Sequence, residues 1–518
     1  MATKLPGRDR RAVRHPAPTI ADRHLTSGED RPKVVVVGGG IAGLAAACGL
    51  AEREIEVELI EAEPSLGGRV RSWTKEPAPG QSSGDPELTM SRGFHAFFRQ
   101  YYNLRALLKR ADPQLARLKP VADYPLELAP QGERPAVRDS FVGIPRTPPW
   151  NLVGFVAKSP SFRFGDLTRV DIGRALGLLQ VDFPSTYTEL DGVSAAELLD
   201  RLRFPDRARH LALEVFARSF FADPREFSAG ELVAMFHTYF VGSAEGLLFD
   251  VPDDDYQQSL WGPLQDYLSG LGVTIRTGVR AQRVQTGEAG VVVETDAGPI
   301  AADAVVLALD TTALQKLVAT SDGLGDAKWR EQVGALRVAP PFGVGRRWLD
   351  VRLPEIEPFL GTSGYGPLDN LSRVDALEAG AAAWAERTGG TVVEVHGYAL
   401  ADTSDQTRDI LWREAARIHP ALQTAGVVAE EWLVRSDCPL VDTTTWAERP
   451  SVTTPDPRLV IAGDLVRCDW PIALMERAAT TGWQAANTLL VRLSRPGHEL
   501  WSPPLRGLLA GAAGHRQS

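Results

Sequence analysis

At 518 residues the chain has the length for two or three domains and a large core, and its 44% hydrophobic and 24% charged residues are the balance of a soluble globular protein. The formal net charge of -10 argues against nucleic acid as the main partner. Cys48, Cys438 and Cys468 lie far apart without metal-ligand spacing, so neither a disulfide framework nor a metal centre is expected, and a reducing cytoplasm is the natural setting.

In chain order, residues 1–31 are rich in Arg, Pro and Asp with no apolar h-region, and read as a disordered, non-secretory arm. No apolar run further along reaches the length of a membrane-spanning helix. The first regular element opens at about Pro32. Val34-Val35-Val36-Val37 has the pattern of a buried parallel strand, and Gly38-Gly39-Gly40-Ile41-Ala42-Gly43 turns it at once into an alanine-rich helix. The Gly38-x-Gly40-x-x-Gly43 spacing fits a dinucleotide pyrophosphate resting on a helix N-terminus. Gly38 permits the tight turn, Gly40 lets the backbone approach the phosphates, and Gly43 lets the helix press against the strand. A second strand, Val57-Glu58-Leu59-Ile60, leads into Glu61 and Ala62, roughly twenty residues past the glycines, where an acid can hold ribose hydroxyls. The glycine spacing alone is weak; strand, turn, helix, strand and acid in that order are specific.

Gly67-Gly68-Arg69-Val70-Arg71 suits a loop that wraps the cofactor, with Arg69 near its phosphates or flavin, against a turn with a solvated arginine. Residues 77–88, rich in Pro, Gly and Ser, read as a loop. The densest aromatic cluster follows, Arg92-Gly93-Phe94-His95-Ala96-Phe97-Phe98-Arg99-Gln100-Tyr101-Tyr102-Asn103-Leu104, continuing as a helix over 104–118. Residues 120–250 lack strand–helix alternation and are helical where periodic, over 195–202 and 207–218. A β pattern returns at 273–276, at 278–284 through Ala281, at 291–294 and at 304–308. A mixed region covers 311–455. Arg458-Leu459-Val460-Ile461-Ala462-Gly463-Asp464 is again a strand, followed by a loop and a helix over 473–490. The cofactor unit is thus expected in three separated pieces, α/β in class, with a mixed remainder.

The chain resembles the FAD-dependent amine-oxidase-like superfamily over about 32–495. Three motifs carry the likeness: Gly38–Gly43 with Glu61, Gly67-Gly68-Arg69-Val70, and Ala462-Gly463-Asp464 followed by Met475-Glu476-Arg477-Ala478-Ala479-Thr480-Thr481-Gly482. Gly93-Phe94-His95-Ala96-Phe97-Phe98 and Tyr101-Tyr102-Asn103-Leu104 are similar to the plant-type carotenoid desaturases, and most of all to the bacterial isorenieratene synthases, or β-carotene desaturase/methyltransferases. The resemblance implies an α/β fold: a Rossmann-type FAD-binding domain built from discontinuous segments, with a mixed α+β substrate domain. It divides the chain into a disordered arm (1–31), FAD segments (32–118, 256–310 and 456–495), substrate segments (119–255, membrane-facing, and 311–455) and a flexible tail (496–518).

It also implies roles. Asp464, beside Gly463, contacts the ribityl and phosphate region of FAD, and the backbone at Met475 faces the flavin carbonyl edge, where free N–H groups and the positive helix end favour a reduced flavin. The backbone at Ala281 touches the adenine. Gly38, Gly40, Ile41, Ala42, Gly43, Glu61, Ala62, Gly68, Arg69, Gly93, Phe94 and His95 complete the expected cofactor set. His95 is the candidate for proton removal or flavin contact, against a histidine satisfied within aromatic packing. Asp469 is a candidate to stabilise a cation or accept a proton, against a loop carboxylate in water. Trp470 and Pro471 are candidate pocket walls, and Arg92 and Arg99 either contact cofactor or solvate a helix start.

The implied reaction oxidises a β-ionone ring of a carotenoid such as β-carotene. FAD takes hydride, a methyl migrates within the ring, and further hydrogen loss makes the ring aromatic, with no methyl donor. A linear phytoene or ζ-carotene desaturase, a flavin amine oxidase, a redox-neutral carotenoid isomerase and a non-catalytic pigment carrier stay as alternatives. So apolar a substrate must enter from a bilayer. Pro145-Arg146-Thr147-Pro148-Pro149-Trp150-Asn151-Leu152-Val153-Gly154-Phe155-Val156-Ala157-Lys158 suits docking at a membrane surface, or else a buried helix of the substrate domain. The expected setting is cytoplasmic, peripheral on the inner face of the membrane, with a quinone as electron acceptor.

Overall fold

The computed structural model describes residues 10–19, 31–75, 87–162, 177–203, 208–212 and 220–510. Its first half is built on a five-stranded parallel sheet in the order Thr274–Thr277, Glu56–Glu61, Lys33–Val37, Ala304–Leu307, Leu459–Ile461. The strands come from three separated stretches of chain. Val34, Val35 and Val36 are fully buried, because the helix Ile41–Ala51 and the antiparallel strands Gly290–Thr295 and Gly298–Ala302 both pack against this sheet, and its strands read as unbroken apolar runs. The helix Ile41–Ala51 is buried along its whole length and packs against the helix Leu474–Arg492. Small residues permit that approach: a side chain on Gly49 would meet Ala486 and Trp483, and one on Gly482 would strike the Ala42 carbonyl.

The second half is a seven-stranded sheet in the order Val427–Arg435, Phe342–Leu349, Thr391–Gly397, Asn370–Arg373, Leu360–Ser363, Leu126–Leu128, Val137–Asp139. All neighbours are antiparallel except Leu360–Ser363 with Leu126–Leu128. Its two faces differ. Val393 and Val395 pack with Leu411 and Trp412 of the helix Asp405–Ile418. Val344 and Leu433 pack with Leu232, Met235 and Tyr239, from the helical middle of the chain.

Several expectations need correction. Val13–His15 pairs antiparallel with Leu500–Ser502, and the His15 ring stacks on Trp470 at 3.8 Å, so neither the arm 1–31 nor the tail 496–518 is free of structure throughout. The helix expected over 104–118 is Tyr102–Ala111; Asp112 precedes Pro113, whose ring disfavours helical geometry in the residue before it, and the chain continues into the strand Leu118–Pro120. The boundary at 310/311 falls too early, since Leu314, Leu317, Val318, Trp329 and Val333 complete the first core. The loop expected at 77–88 lies almost wholly outside the described residues, as does most of the helix expected at 207–218, of which Arg209–Ala212 is described.

Candidate active site

Both halves open onto one cavity of about 840 Å³. At one end its wall is mostly backbone: Gly38, Gly40, Ile41, Ala42, Glu61, Ala62, Gly68, Arg69 and Ala281. Gly38 has φ +109°, and a side chain there would run into the Ala308 carbonyl; its N–H donates to the Ile60 carbonyl at 2.8 Å. Gly43 does not line the cavity. It lets the helix start lie against the Gly38 carbonyl, the packing role read from the spacing. No side chain caps this helix, its N-cap is Gly40, and no acid sits in its first turn. Its positive end is thus left for an anion. Glu61 closes the far side: its carboxylate accepts the Gly39 N–H at 2.6 Å and the Glu63 N–H at 2.8 Å. A turn without side chains, uncapped amides and an acid at the adjacent strand end fit an adenine dinucleotide.

Along the cavity, Arg69 pairs with Asp464, so the loop after Glu61 is tied to the end of the strand Leu459–Ile461. Gly463 is clamped by Thr481, whose hydroxyl accepts the Gly463 N–H at 2.9 Å and donates to its carbonyl at 3.0 Å. Met475 and Leu474 reach the cavity at the start of the C-terminal helix, which no side chain caps. Leu474 holds φ +53°, a strained conformation for a branched residue and of the kind that clusters at functional sites.

Beyond them the wall becomes aromatic. Phe94 lies 4.5 Å from Phe359, Phe98 meets Tyr239 edge-on at 4.6 Å, and Tyr124 lies 4.7 Å from Phe249. The Tyr101 and Tyr239 hydroxyls satisfy each other at 2.9 Å, which leaves their ring faces apolar. His95 is here too. Burial pushes its pKa down to about 4, so the ring is neutral. Its Nδ1 lies 2.8 Å from the Gly93 carbonyl and 3.2 Å from the Tyr256 hydroxyl; a carbonyl only accepts, so Nδ1 carries the proton. Gly93 is off the lining. With φ +100°, its bare Cα leaves room for the His396 ring.

Asp469 does not belong to this site. It is exposed in the loop after Asp464 and is absent from the cavity wall, because the loop turns outward there. Trp470 and Pro471 are off the wall as well: Trp470 stacks on His15, and the Trp470 and Pro471 carbonyls accept the Tyr187 and Thr238 hydroxyls. Arg92 lines the cavity and pairs with Asp437 at 2.5 Å, whereas Arg99 is off the wall, paired with Asp250 at 3.0 Å. Among the described residues no group of His, Cys, Asp and Glu side chains could hold a metal ion.

The sequence reading passes over the most polar part of the wall. Glu394, His396 and Tyr398 follow one another at every second position, which places Glu394 and His396 on one face of the strand Thr391–Gly397. His396 Nε2 lies 2.7 Å from Glu394 Oε1, and His396 Nδ1 lies 2.8 Å from the Tyr398 hydroxyl. Arg346 bonds Glu394 at 2.8 Å and Glu378 at 3.1 Å, with its head fully buried. Burial alone would raise the Glu394 carboxyl, but Arg346 and His396 beside it hold it down at about 2. His396 and Tyr398 line the cavity. Alternating polar residues in an otherwise apolar strand are the signal that marks them.

The family model for flavin-containing amine oxidoreductases matches residues 41–490. The chain is 51% identical to a carotenoid phi-ring synthase of Streptomyces griseus over 97% of this chain and 95% of that protein. It is 25% identical to a carotenoid phi-ring synthase of Chlorobaculum tepidum over 92% and 91% of the two chains. A zeta-carotene desaturase of Synechocystis is 27% identical over 55% of this chain and 59% of its own length. Among solved structures, putrescine oxidase bound to putrescine has a TM-score of 0.65 at 14% identity over 89% of this chain and 99% of that one. Cyclohexylamine oxidase from Brevibacterium oxydans has 0.64 at 14% over 90% and 100%. These two share the fold. The chain therefore belongs to the flavin-containing amine oxidoreductases, and is an FAD-dependent oxidoreductase of the carotenoid-desaturase-like kind.

Proposed function

We propose that this protein converts β-ionone rings of a carotenoid, β-carotene being the expected substrate, into aromatic rings by desaturation with intramolecular methyl migration. The observation that carries the reading is the continuation of the FAD cavity into an aromatic chamber. The 51% identity with the S. griseus phi-ring synthase, over nearly the full length of both chains, supports the ring chemistry. FAD bound at the glycine turn supplies a hydride acceptor. The chain's own residues would then bind an apolar ring, keep water from it and hold it beside Met475, one of the residues that would hold the cofactor; a positioned reactant pair needs little further help for hydride transfer. Aromatic faces stabilise the cation that hydride loss leaves.

Delivery is by docking at a lipid surface. Among the described residues no helix is long and apolar enough to cross a membrane. Trp150 and Val153, on the helix Trp150–Lys158, are 64% and 54% exposed, and Val142 is 55% exposed. Phe155 on the same helix is buried and stacks on Phe141, which stacks on Tyr124 of the cavity wall. An apolar patch thus leads by stacked rings to the chamber. We assign the protein to the inner face of the cytoplasmic membrane, with a quinone as electron acceptor.

The test is expression in a bacterium that accumulates β-carotene. A pigment with fewer hydrogens and unchanged carbon count supports the reading. Unchanged β-carotene, with linear precursors consumed in a lycopene-lineage strain, replaces it with linear desaturation.

A further inference from the structure

Making a ring aromatic removes protons as well as hydrides. Each hydride taken up by FAD leaves a carbocation, and a neighbouring C–H bond must then lose its proton while its electron pair becomes the new double bond. The wall of the chamber must therefore hold a proton acceptor. Asp469 is exposed and outside it. His95 is inside it, but its Nδ1 is engaged with a carbonyl and no carboxylate among the described residues bonds its ring, so a proton placed there would be an uncompensated buried charge.

We propose that Tyr398, His396 and Glu394 form the proton-accepting relay of this enzyme, with the Tyr398 hydroxyl oxygen taking the proton from the substrate cation. The inference rests on the ring-aromatising reading. Geometry fixes the direction of the relay. Glu394 is ionised against Arg346 and can only accept, so His396 Nε2 carries the proton of that 2.7 Å bond, which is far shorter than the 3.4 Å approach of the Phe94 N–H to the same nitrogen. His396 Nδ1 is then a lone pair, and the Tyr398 hydroxyl donates to it at 2.8 Å. The Tyr398 oxygen accepts the Asn370 side-chain N–H at 2.9 Å, and both residues line the cavity. As the substrate C–H bond breaks, a new O–H bond forms on Tyr398 and its former proton moves to His396 Nδ1. The imidazolium so formed lies against the Glu394 carboxylate. The electron pair of the broken C–H bond stays on the substrate, and the two electrons carried by the hydride leave through FAD to the quinone-class acceptor. A base oriented and charge-compensated by a second group is the arrangement that general catalysis requires.

The structure is built around this contact. The bare, left-handed Gly93 faces His396, where any side chain would collide with the ring. Phe221 packs edge-on against Tyr398 at 4.7 Å.

The test uses FAD-loaded protein on liposomes containing a quinone as electron acceptor and β-carotene, either unlabelled or deuterated at the ring methylenes. Tyr398→Phe removes one oxygen; His396→Ala opens space for free imidazole. The expected results are unchanged flavin content in both variants and aromatic product slowed by about a hundredfold. The deuterium isotope effect should be larger in Tyr398→Phe, because proton loss has become limiting. Added imidazole should restore part of the His396→Ala rate. If His396→Ala loses flavin, Tyr398→Phe decides alone. A Tyr398→Phe protein that matches the wild type in rate, or is slowed with an unchanged isotope effect, overturns the relay while leaving the ring reading intact. Wild-type protein that leaves β-carotene unaltered overturns the ring reading and the relay together.

Discussion

The two ends of the cavity are made differently. The glycine-turn end, the candidate cofactor site, is a backbone surface: Gly38, Gly40 and Gly68 present amides and empty space, and Glu61 supplies the acid. The chamber end is a side-chain surface, with aromatic faces and one charged network, Glu378–Arg346–Glu394–His396, buried beneath it. A backbone surface tolerates almost no substitution because nothing can move aside. A side-chain surface can change one group at a time, and chemistry can be tuned there without loss of cofactor.

Four measurements bear on that contrast. Gly38→Val should have the largest effect: the branched side chain is driven into the Ala308 carbonyl at a positive φ, and no yellow holoprotein is expected on purification. Retained flavin would break the contrast. Arg346→Met should destabilise by about 3–5 kcal/mol in denaturant unfolding, since it strands the buried Glu394 carboxylate and the half-buried Glu378 carboxylate. Glu394 supplies a pH test. Its carboxyl is held at about 2 in the folded protein, against the ordinary 4.5 in the unfolded chain. Its contribution is therefore complete above pH 4.5 and is lost as pH falls toward 2. Glu394→Gln should flatten the acid limb of the stability curve by about 3 kcal/mol over that window. The smallest effect is expected outside both ends: Trp150→Glu with Val153→Glu should weaken binding to lipid vesicles about tenfold in sedimentation, with flavin content unchanged.

The same contrast decides what can be read from the sequence. Turns without side chains, a parallel strand and an acid at fixed spacing are local requirements, so Gly38–Gly43, Glu61 and the Gly463-Asp464 strand end are legible in one chain. The chamber is assembled from residues far apart, such as Phe94, Phe249 and Phe359, and no local pattern announces their meeting. Asp469 is misread because proximity in sequence to Asp464 and Met475 stands in for proximity in space. The Glu394-x-His396-x-Tyr398 alternation is legible in principle, but its partner Arg346 lies on another strand and only the sheet brings them together. The strand Val13–His15 is missed for a similar reason: three residues have no pattern of their own, and their partner is at the other terminus.

The parallel sheet has a consequence for biosynthesis. Its last strand, Leu459–Ile461, and the helix Leu474–Arg492 leave the ribosome after every other strand of the sheet. Until they emerge, Ala304–Leu307 presents an open edge and Ile41–Ala51 lacks its packing partner. The nascent chain therefore cannot complete this sheet before they are made, and an unpaired apolar edge must be shielded from other chains in the meantime.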